Sequence, residues 1–349
     1  MKLEAVHMRT AILGAGALGI IIGARMTHNG QQVDLIDSFK ENVDALNTNG
    51  ATVTGFLDLH QAVTALTPEE MVGTYDLVLL LTKQTANATA LPKLLPHLHA
   101  DSIVCTLQNG VPEEGVAAIV GKERTIGGAV GFGATWMKPG VSELTSTMEA
   151  IEKFAFEIGE IDGVLRPRLE KVREVLITAG GTTILTNLMG IRYTKLLMNA
   201  TFSGMSAALN GNFSEVLANP KAMVCVAHIA DEVIKVCRGL GYRMVEMQGV
   251  DFEFLELNSK ADIPSKMDLY KKVWGRHNNR ASMLQDLEKG RKTEIDYING
   301  IVCQGGKKCG IPTPFNDKVV ELVKEAEARG GVNDFSYLAR FDDIIASAK

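Results

Sequence analysis

Short runs of consecutive apolar residues alternate with amphipathic segments through the first half of the chain. The runs are Thr10 to Leu13, Gln32 to Ile36, Leu77 to Leu81, Ser102 to Leu107 and Thr125 to Val130. Strands that are apolar without alternation are typical of a parallel sheet covered by helices on both faces. This half is therefore predicted to be an α/β domain with a doubly wound parallel sheet.

A different pattern begins after Pro139-Gly140, where polar and apolar residues alternate. Two alternating runs, Val141 to Thr147 and Lys153 to Ile158, are expected to add antiparallel strands at the edge of the sheet. A further run, Thr182 to Leu185, is expected to close this domain with one more strand.

The remainder of the chain, from about Leu188, has the amphipathic spacing of helices. The predicted helices are Arg192 to Leu209, Lys221 to Arg238, Met283 to Gln304 and Asn316 to Arg329. Gly239 and Gly241 fit C-terminal caps, and Ser282-Met-Leu-Gln285 fits a capping box. The predicted architecture is an α/β domain, residues 1–187, followed by an all-α domain, residues 188–349, for substrate binding or dimerisation.

A glycine-rich loop joins the first predicted strand to the first predicted helix. Its residues are Gly14, Ala15, Gly16, Ala17, Leu18 and Gly19, and the strand that follows the helix ends in Asp37. In a Rossmann-type site the three glycines allow a tight turn, the approach of a pyrophosphate and close packing of helix on strand, while the acid binds ribose hydroxyls. These seven residues are therefore predicted to bind a dinucleotide cofactor.

The segment from Met1 to Ala24 also resembles a secretory signal, because Lys2 and Arg9 stand ahead of the fourteen uncharged residues Ala11 to Ala24. Glu4 and the glycines oppose that interpretation, and the run is too short to span a bilayer. We expect a soluble protein in which this segment contributes the first strand and helix.

Composition narrows the classes of partner. The formal net charge of −5 and the pI of about 5.9 disfavour nucleic acid and anionic membranes. The five cysteines are dispersed and include no CxxC pair, which suits reduced thiols in the cytoplasm. No HExxH motif is present, and His97-Leu-His99 is more typical of a solvated loop, so no catalytic metal is expected.

A dinucleotide domain followed by a helical domain is typical of a dehydrogenase, whose active site is expected beyond the carboxyl ends of the strands. Thr82-Lys83-Gln84 and Gln108-Asn109-Gly110 stand where two predicted strands end. Lys83 and Asn109 are therefore candidate site residues. A solvated loop lysine and a plain Asn-Gly turn explain the same residues.

A second candidate group lies in the helical half. Lys195, Asn199 and Ser203 are four residues apart and share one face of a mainly apolar predicted helix. Apolar neighbours are expected to desolvate Lys195 partly, which lowers the pKa of a lysine and makes it a usable general acid. A lysine that extends its amine to solvent from a half-buried helix fits the same pattern. Ser282 and Glu294 form a third group, although a helix cap and a surface ion pair also explain them.

The order of these motifs resembles that of one known family. The chain resembles the ketopantoate reductase family over nearly its whole length, in the glycine loop, Thr82-Lys83, Leu107-Gln-Asn109-Gly110, Lys195-x-x-x-Asn199, Ser282-Met-Leu-Gln-Asp, Thr293-Glu294-Ile-Asp-Tyr-Ile-Asn-Gly300 and Gly310-Ile-Pro312. The segment from Ser282 to Gly300 is the most diagnostic, since other dehydrogenases with helical second domains share the glycine loop and a lysine–asparagine helix.

The resemblance implies an NAD(P)H-dependent reduction of a 2-oxo acid, with ketopantoate to pantoate as the founding activity. It implies that Lys195 donates the proton to the developing alkoxide and that Asn109 lies between nicotinamide and substrate. It further implies cofactor contacts from Lys83, Ala134 and Glu294, of which Glu294 alternatively engages Lys195, and substrate contacts from Asn199, Ser282 and either Asn210 or Asn212.

Two positions depart from the family pattern. Asp37 stands where NADP-dependent members have a basic residue just after the second strand. A carboxylate accepts both ribose hydroxyls but repels a 2′-phosphate, so NAD(H) is favoured over NADP(H), with Lys40 as the residue that opposes this preference. Ser203 stands where the family often has a substrate-binding asparagine, so the substrate can be another branched or aromatic 2-oxo acid.

The leading hypothesis is therefore a 2-oxo acid reductase that acts on ketopantoate. A related 2-hydroxy acid dehydrogenase of the D-mandelate type is the alternative enzyme, and a dinucleotide-sensing protein without catalysis is the alternative from another class. The candidate residues of the helical half count against a sensor, which needs only the first domain. The apolar helical domain is compatible with a homodimer.

Overall fold

The computed structural model describes residues 8–247, 249–275 and 280–348. It divides into two compact units. Unit 1 contains the residues up to Gln108 together with Pro112–Leu188, and unit 2 contains Asn109–Val111 and the residues from Met189 onward. The domain boundary predicted between 187 and 188 lies one residue before the junction of Leu188 and Met189.

Unit 1 is built around two sheets. The strands are β1 Thr10–Leu13, β2 Val33–Ile36, β3 Ala51–Gly55, β4 Leu59–Gln61, β5 Thr64–Leu66, β6 Tyr75–Leu80, β7 Leu98–Thr106, β8 Thr125–Val130, β9 Ala134–Lys138, β10 Val141–Leu144, β11 Phe156–Gly159 and β12 Thr182–Leu185. Eight of the described strands form one sheet in the order β12-β11-β8-β7-β6-β1-β2-β5, and four form another in the order β4-β3-β10-β9. In the larger sheet, β8 and β11 are antiparallel and the other described pairs are parallel.

Helices cover both faces of the larger sheet. They are α1 Ala17–His28, α2 Lys40–Asn49, α3 Asn87–Leu94, α4 Glu113–Val120, α5 Met148–Phe154 and α6 Pro167–Leu176. Ile12 of β1 belongs to a buried cluster that includes residues of α1 and α6, whereas its neighbours Ala11 and Leu13 belong to a second cluster with residues of α3 and α4. A strand buried on both faces has no polar side to expose, which explains the continuous apolar runs. The predicted α/β fold with a mainly parallel sheet is confirmed.

The two alternating runs after Pro139-Gly140 differ in part from the prediction. Val141–Leu144 is β10 of the smaller sheet, where it pairs with β9 across a turn at Gly140 (φ +73°) and with β3. Of the second run, Lys153 and Phe154 end α5, and Phe156–Ile158 lie in β11, which is antiparallel to β8 as expected. β12 pairs with the other side of β11 and is the edge strand. The expectation that both runs lie at the edge of the main sheet is therefore wrong, because alternation indicates which face of a strand is buried but not its partner.

The described part of the chain from Leu188 onward is helical. The helices are α7 Leu188–Met198, α8 Gly204–Leu209, α9 Phe213–Ala218, α10 Pro220–Gly239, α11 Ile263–Trp274, α12 Ser282–Glu288, α13 Asn299–Cys309, α14 Pro314–Arg329 and α15 Asp342–Ser347. A π turn at Asn199–Ser203 joins α7 directly to α8. Gly241, with φ +85°, follows the end of α10 as predicted, whereas Gly239 is the last residue of the helix itself. The all-α second half is confirmed.

The predicted helix from Met283 to Gln304 is instead two helices, α12 and α13. Gly290, with φ +62°, follows the end of α12, and a 3₁₀ turn at Ile295–Tyr297 precedes α13. A glycine in this conformation ends a helix even where apolar spacing continues beyond it. The predicted capping box is also wrong, because Ala281 is the N-cap residue and the Gln285 side chain donates to the Arg280 carbonyl at 3.2 Å.

Two expectations from the sequence remain, one on the state of the cysteines and one on membrane-spanning segments. All five cysteines are free thiols. Burial raises the pKa of Cys225 and of Cys237 to about 12, so these two thiols are packing groups rather than nucleophiles. Within residues 8–247, 249–275 and 280–348, no helix is both long and apolar enough to cross a membrane.

Candidate active site

The glycine loop of unit 1 has the shape that a dinucleotide site requires. Gly14 has φ +110°, and a Cβ on it would lie 2.6 Å from the backbone nitrogen of Thr82. A Cβ on Gly19 would collide with the Gly14 carbonyl and lie 3.3 Å from the Ile12 side chain, so a larger residue would push α1 off β1. A Cβ on Gly16 would meet nothing within 4 Å. The loop therefore packs tightly against the protein at Gly14 and Gly19, whereas the space beside Gly16 is open.

The first turn of α1 carries no side-chain cap. Gly16 is its N-cap residue and makes no side-chain cap hydrogen bond, and the first turn contains no acidic residue. Uncapped amides at the positive end of a helix dipole bind anions. Together with the open space at Gly16, this helix end fits the pyrophosphate of a dinucleotide.

Asp37 follows β2 and lies beside the glycine loop. The Ala15 amide donates to the carbonyl of Ile36, the residue before it. Burial raises the pKa of the Asp37 carboxyl, and hydrogen bonds from the Phe39 amide at 2.9 Å and from the Asn42 side chain at 3.3 Å oppose that rise. An acid at the end of the second strand is the group that accepts ribose hydroxyls in NAD sites.

Asn42 was missed by sequence reasoning. Its side chain is 1% exposed and donates to the Ala15 carbonyl at 2.9 Å as well as to Asp37, while its oxygen accepts from the Gly140 amide at 2.9 Å. The amide thus joins the glycine loop, the acid and the turn before β10. The one sequence feature that could have identified Asn42 is its position as a polar residue on the buried face of α2, which it shares with Val43 and Leu46.

Lys40 pairs with Asp44 and not with Asp37. Its Nζ lies 2.7 Å from Asp44 Oδ1, one turn further along α2, and this pair raises the pKa of Lys40. Both side chains are exposed. Lys40, the residue that opposes a preference for NAD, thus pairs with a carboxylate of its own helix at the surface.

Gln108 organises the loops that follow β6 and β7. It is 4% exposed, and its Nε2 donates to the Thr82 carbonyl at 2.8 Å and to Asn87 Oδ1 at 2.7 Å. Its Oε1 accepts from the Thr106 hydroxyl at 3.1 Å. Sequence reasoning placed this glutamine at a strand end but assigned it no role, because Thr82 and Asn87, to which its Nε2 donates, lie more than twenty positions away along the chain.

The candidate residues on these loops differ in exposure. Lys83 is exposed, whereas Asn109 is half-buried and is followed by Gly110 with φ +80°. Ala134 is the half-buried first residue of β9 and packs against the core cluster that contains residues of α1. Each is a predicted cofactor contact.

A row of three side chains interrupts the burial of the helix that starts unit 2. From 188 to 209 every residue is buried except Lys195, Met198, Asn199 and Ser203. The predicted spacing therefore coincides with the open face of the helix. Exposure on an otherwise buried helix is the placement expected of groups that contact a ligand.

The π turn keeps that row straight. A four-residue step in an α-helix overshoots a full turn by about 40°, so Asn199 is rotated past Lys195. The wider π turn at Asn199–Ser203 fits more residues into a turn, so the next four-residue step falls back toward the starting line. The result is that Ser203 lies closer to the Lys195 line than an unbroken α-helix allows.

Ser282 and Glu294 lie on separate short elements. Ser282 is the exposed first residue of α12, and α12 packs against the π turn and α8. Glu294 is half-buried and precedes the 3₁₀ turn Ile295–Tyr297, which packs against α13 and α14. The segment from Ser282 to Gly300, which carries most of the family resemblance, therefore places Ser282 and Glu294 on two separate elements rather than on one helix.

Asn210 and Asn212 each have a local structural role. Asn210 ends α8 with φ +52°, a left-handed conformation that asparagine tolerates better than most residues. Asn212 caps α9, where its side chain accepts from the Glu215 amide at 2.9 Å. Both are half-buried, and a substrate contact by either one stays a prediction.

The histidines noted in the sequence have protein partners. His97 Nδ1 lies 2.8 Å from the Gly73 carbonyl, and His99 Nε2 lies 3.0 Å from Asp76 Oδ1. In the part of the chain that the structure describes, no group of three or more His, Cys, Asp or Glu side chains is placed to hold a metal ion.

Comparison with known proteins decides the family. The family model described as Ketopantoate reductase PanE/ApbA matches residues 10–159, and the model of its C-terminal part matches residues 187–327. A 2-dehydropantoate 2-reductase of Pyrococcus abyssi is 30% identical over 93% of this chain and 99% of its own length. The chain belongs to the ketopantoate reductase family. The resemblance stated from the motifs is confirmed.

Further members support this assignment. A 2-dehydropantoate 2-reductase of Archaeoglobus fulgidus is 28% identical over 92% of this chain and 98% of its own length. A solved ternary structure of D-mandelate dehydrogenase with NADH and anilino(oxo)acetate has a TM-score of 0.78 and 27% identity over 92% of this chain and 99% of that one. The matched ranges of the ketopantoate reductase models contain all the candidate residues, from Gly14 to Ala134 in the first and from Lys195 to Glu294 in the second.

Proposed function

We propose that this chain reduces a 2-oxo acid to a 2-hydroxy acid with a nicotinamide dinucleotide as hydride donor, and that 2-dehydropantoate is the leading substrate. The observation that carries the proposal is the row of Lys195, Asn199 and Ser203 on an otherwise buried helix. A lysine beside two hydrogen-bonding side chains supplies a proton donor and groups that orient a polar substrate. Relatives named 2-dehydropantoate 2-reductase support this choice of substrate.

The proposed chemistry needs one proton donor from the protein. A bound nicotinamide dinucleotide would supply the hydride that the carbonyl carbon accepts. The electron pair of the carbonyl π bond moves to oxygen, and the Lys195 ammonium stabilises the negative charge and transfers its proton there. Lysine then regains a proton from solvent, so a 2-oxo acid, NAD(P)H and one proton give a 2-hydroxy acid and NAD(P)⁺.

The remaining residues of unit 2 are proposed to bind and orient. Asn199 and Ser203 hydrogen-bond the substrate, with Asn210 or Asn212 as a further contact. Ser282 binds the substrate carboxylate, for which its exposure at the start of a helix is suitable. Glu294 engages the cofactor or Lys195.

Unit 1 is proposed to hold the cofactor. The glycine loop and the uncapped turn of α1 take the pyrophosphate, and Asp37 takes the ribose hydroxyls. Lys83 and Ala134 complete the contacts from unit 1, and Asn109, which the division into units assigns to unit 2, is proposed to lie beside the nicotinamide. NAD(H) is preferred to NADP(H), because a carboxylate repels a 2′-phosphate and Lys40 is paired with Asp44.

A D-mandelate-type activity is the second candidate. Ser203 favours it, since serine leaves more room than the asparagine that the family often has at this position. The similarity to the D-mandelate dehydrogenase structure, which was solved with NADH and anilino(oxo)acetate, a carboxylate that carries an aromatic ring, supports the same alternative. In this case the chain oxidises an aromatic 2-hydroxy acid with NAD⁺.

Initial rates of the purified protein test these proposals. The panel contains 2-dehydropantoate, branched and aromatic 2-oxo acids and the matching 2-hydroxy acids, each with both cofactor pairs. The highest kcat/KM is expected for 2-dehydropantoate with NADH. A maximum for phenylglyoxylate or mandelate supports the second candidate, and a strong preference for NADPH contradicts the assignment of Asp37. Cofactor binding without turnover of any compound contradicts the enzyme proposal and leaves a sensor.

Two further expectations belong to this proposal. The apolar second half is proposed to form a homodimer, which light scattering after size exclusion tests directly. The free cysteines suit a reducing compartment such as the cytoplasm, which localisation of a tagged chain tests.

A further inference from the structure

The π turn leaves one backbone carbonyl without its helical donor. In an α-helix the Gly204 amide donates to the Ala200 carbonyl, four residues earlier. Here the Gly204 amide donates to Asn199 O and Thr201 O instead. Ala200 is fully buried, so its carbonyl needs another donor.

Asn299, the first residue of α13, supplies that donor. Its Nδ2 lies 3.0 Å from the Ala200 carbonyl, and the side chain is fully buried. The absence of a side chain at Gly204 makes this approach feasible, because a Cβ there would lie 2.7 Å from Asn299 Oδ1 and 3.0 Å from its Nδ2. Asparagine and glycine are thus fitted to each other across two helices.

A chain of hydrogen bonds continues from Asn299 to Asn316 on α14 and from Asn316 to Glu232 on α10. Asn299 Nδ2 also donates to Asn316 Oδ1 at 2.9 Å, and Asn316 Nδ2 donates to Glu232 Oε2 at 2.7 Å. Both asparagines are fully buried, and Glu232 is 6% exposed. We call Asn299, Asn316 and Glu232 the buried network.

The carboxylate of Glu232 sets the direction of this chain of hydrogen bonds. Its oxygens accept from the backbone amides of Phe315 and Asn316, each at 2.9 Å, in addition to the Asn316 side chain. In its ionised form Glu232 has only acceptors to offer, so the Asn316 amide nitrogen faces Glu232 and its oxygen faces Asn299. Asn299 then presents its own nitrogen to both acceptors, including the Ala200 carbonyl.

We propose that the buried network is a set of positioning residues that holds the π turn, and so keeps Lys195, Asn199 and Ser203 in one row. None of the three network residues is assigned a contact with substrate or cofactor. The effect on turnover rests on the proposed function, whereas the hold on the π turn does not.

Asn299→Ala tests the proposal, with Asn333→Ala as its matched control. Asn333 is 4% exposed, and its Nδ2 also donates to two carbonyls, of which Ala208 O lies on α8 at 3.0 Å, beyond the π turn. Amide hydrogen exchange of peptides covering 199–205 is measured together with kcat/KM for the oxo acid and the Kd for NADH.

The network variant is expected to differ from the control in two readouts. In Asn299→Ala, exchange over 199–205 speeds up and kcat/KM falls at least about tenfold, while the Kd for NADH is unchanged. In Asn333→Ala the thermal midpoint falls but kcat/KM and exchange over 199–205 stay at the wild-type level. Unchanged exchange in Asn299→Ala overturns the proposal. Faster exchange with the kcat/KM of the control overturns the positioning role.

Gly204→Ala is a second probe, which substitutes no residue of the buried network. The added methyl displaces the Asn299 amide, so the same loss of kcat/KM is expected. In the double variant Gly204→Ala/Asn299→Ala, the added methyl group occupies space that the shortened side chain at 299 leaves empty. The loss of kcat/KM in the double variant should therefore not exceed the loss in Asn299→Ala alone. Additive losses contradict the proposal. If wild-type protein turns over no 2-oxo acid, the proposed function fails, and the exchange experiment alone decides whether the network holds the π turn.

Discussion

Asn42 Nδ2 lies 2.9 Å from the Ala15 carbonyl, so one side chain of α2 holds the glycine loop. The same amide group donates to Asp37 at 3.3 Å. The loop proposed to take the pyrophosphate and the acid proposed to take the ribose are thus set at a fixed separation by a buried residue that need not touch the cofactor.

Asn42→Ala is expected to weaken NADH binding by about tenfold or more and to lower the thermal midpoint, because a buried amide with three partners is lost. Asn47→Ala is the control on the same helix. Asn47 bonds only the backbone of Ala65 among the described residues, so its loss costs stability alone. Fluorescence titration with NADH and thermal scans measure the two effects. Equal NADH affinities for the two variants contradict the role of Asn42.

Lys195→Ala is expected to reduce kcat by about 100- to 10,000-fold, the range found when a general acid is removed. The Kd for NADH should stay at its wild-type value, because the assigned cofactor residues are intact. Lys221→Ala is a suitable control, since Lys221 lies on α10 and pairs with Asp342. Steady-state kinetics and NADH titration measure both quantities, and normal turnover by Lys195→Ala refutes the assigned proton donor.

Ser203→Asn is expected to narrow the range of substrates. Asparagine fills space at the end of the row and adds a hydrogen-bonding group toward the substrate. The ratio of kcat/KM for 2-dehydropantoate to that for phenylglyoxylate should rise about tenfold or more. Ser206→Ala, a change at a buried position of α8, controls for disturbance of the helix. An unchanged ratio in Ser203→Asn contradicts the assignment of Ser203 to the substrate site.

Glu232 predicts a pH dependence of stability. Burial raises its pKa to about 7 from an ordinary value of 4.5, against the hydrogen bonds from Phe315 and Asn316, while nearby Asp317 adds to the rise. Because the folded state keeps this proton to higher pH than the unfolded chain, the contribution of Glu232 to stability falls as pH rises from 4.5 to 7. The loss is of the order of 3 kcal/mol.

Glu232→Gln should remove this pH dependence. The variant has a constant penalty, because its amide places a donor against backbone amides, but no proton to lose. Its thermal midpoint should therefore move closer to that of the wild type between pH 4.5 and 7. His228, whose pKa is lowered by burial, is present in both proteins and cancels from the difference. A difference that is constant with pH contradicts the shifted pKa of Glu232.

Local patterns were sufficient for much of this molecule. The continuous apolar runs identified the parallel strands, because a strand covered on both faces carries that signature by itself. The glycine loop was readable from its spacing between a strand and a helix, and the close contacts of Gly19 with Gly14 and Ile12 lie within that local unit. The spacing of Lys195, Asn199 and Ser203 indicated a shared face from helix geometry alone.

Predictions from the sequence were wrong or incomplete where a distant partner or a single backbone angle decides the structure. The alternation of Val141–Leu144 was visible, but its place in the smaller sheet depends on β3, almost ninety positions earlier. The break at Gly290 is set by a positive φ that apolar spacing does not report. Asn42 and Gln108 act through backbone carbonyls on other elements, which have no sequence signature.

By itself the sequence determined the α/β and helical halves, the dinucleotide loop and the chemical groups of the site, because these depend on contacts within a few turns or strands. The tertiary structure decided which carbonyls and amides those groups meet. The π turn illustrates the difference, since the donor that satisfies Ala200 is Asn299, 99 positions later. A buried carbonyl accepts any donor that packing brings to it, and packing is a property of the whole fold.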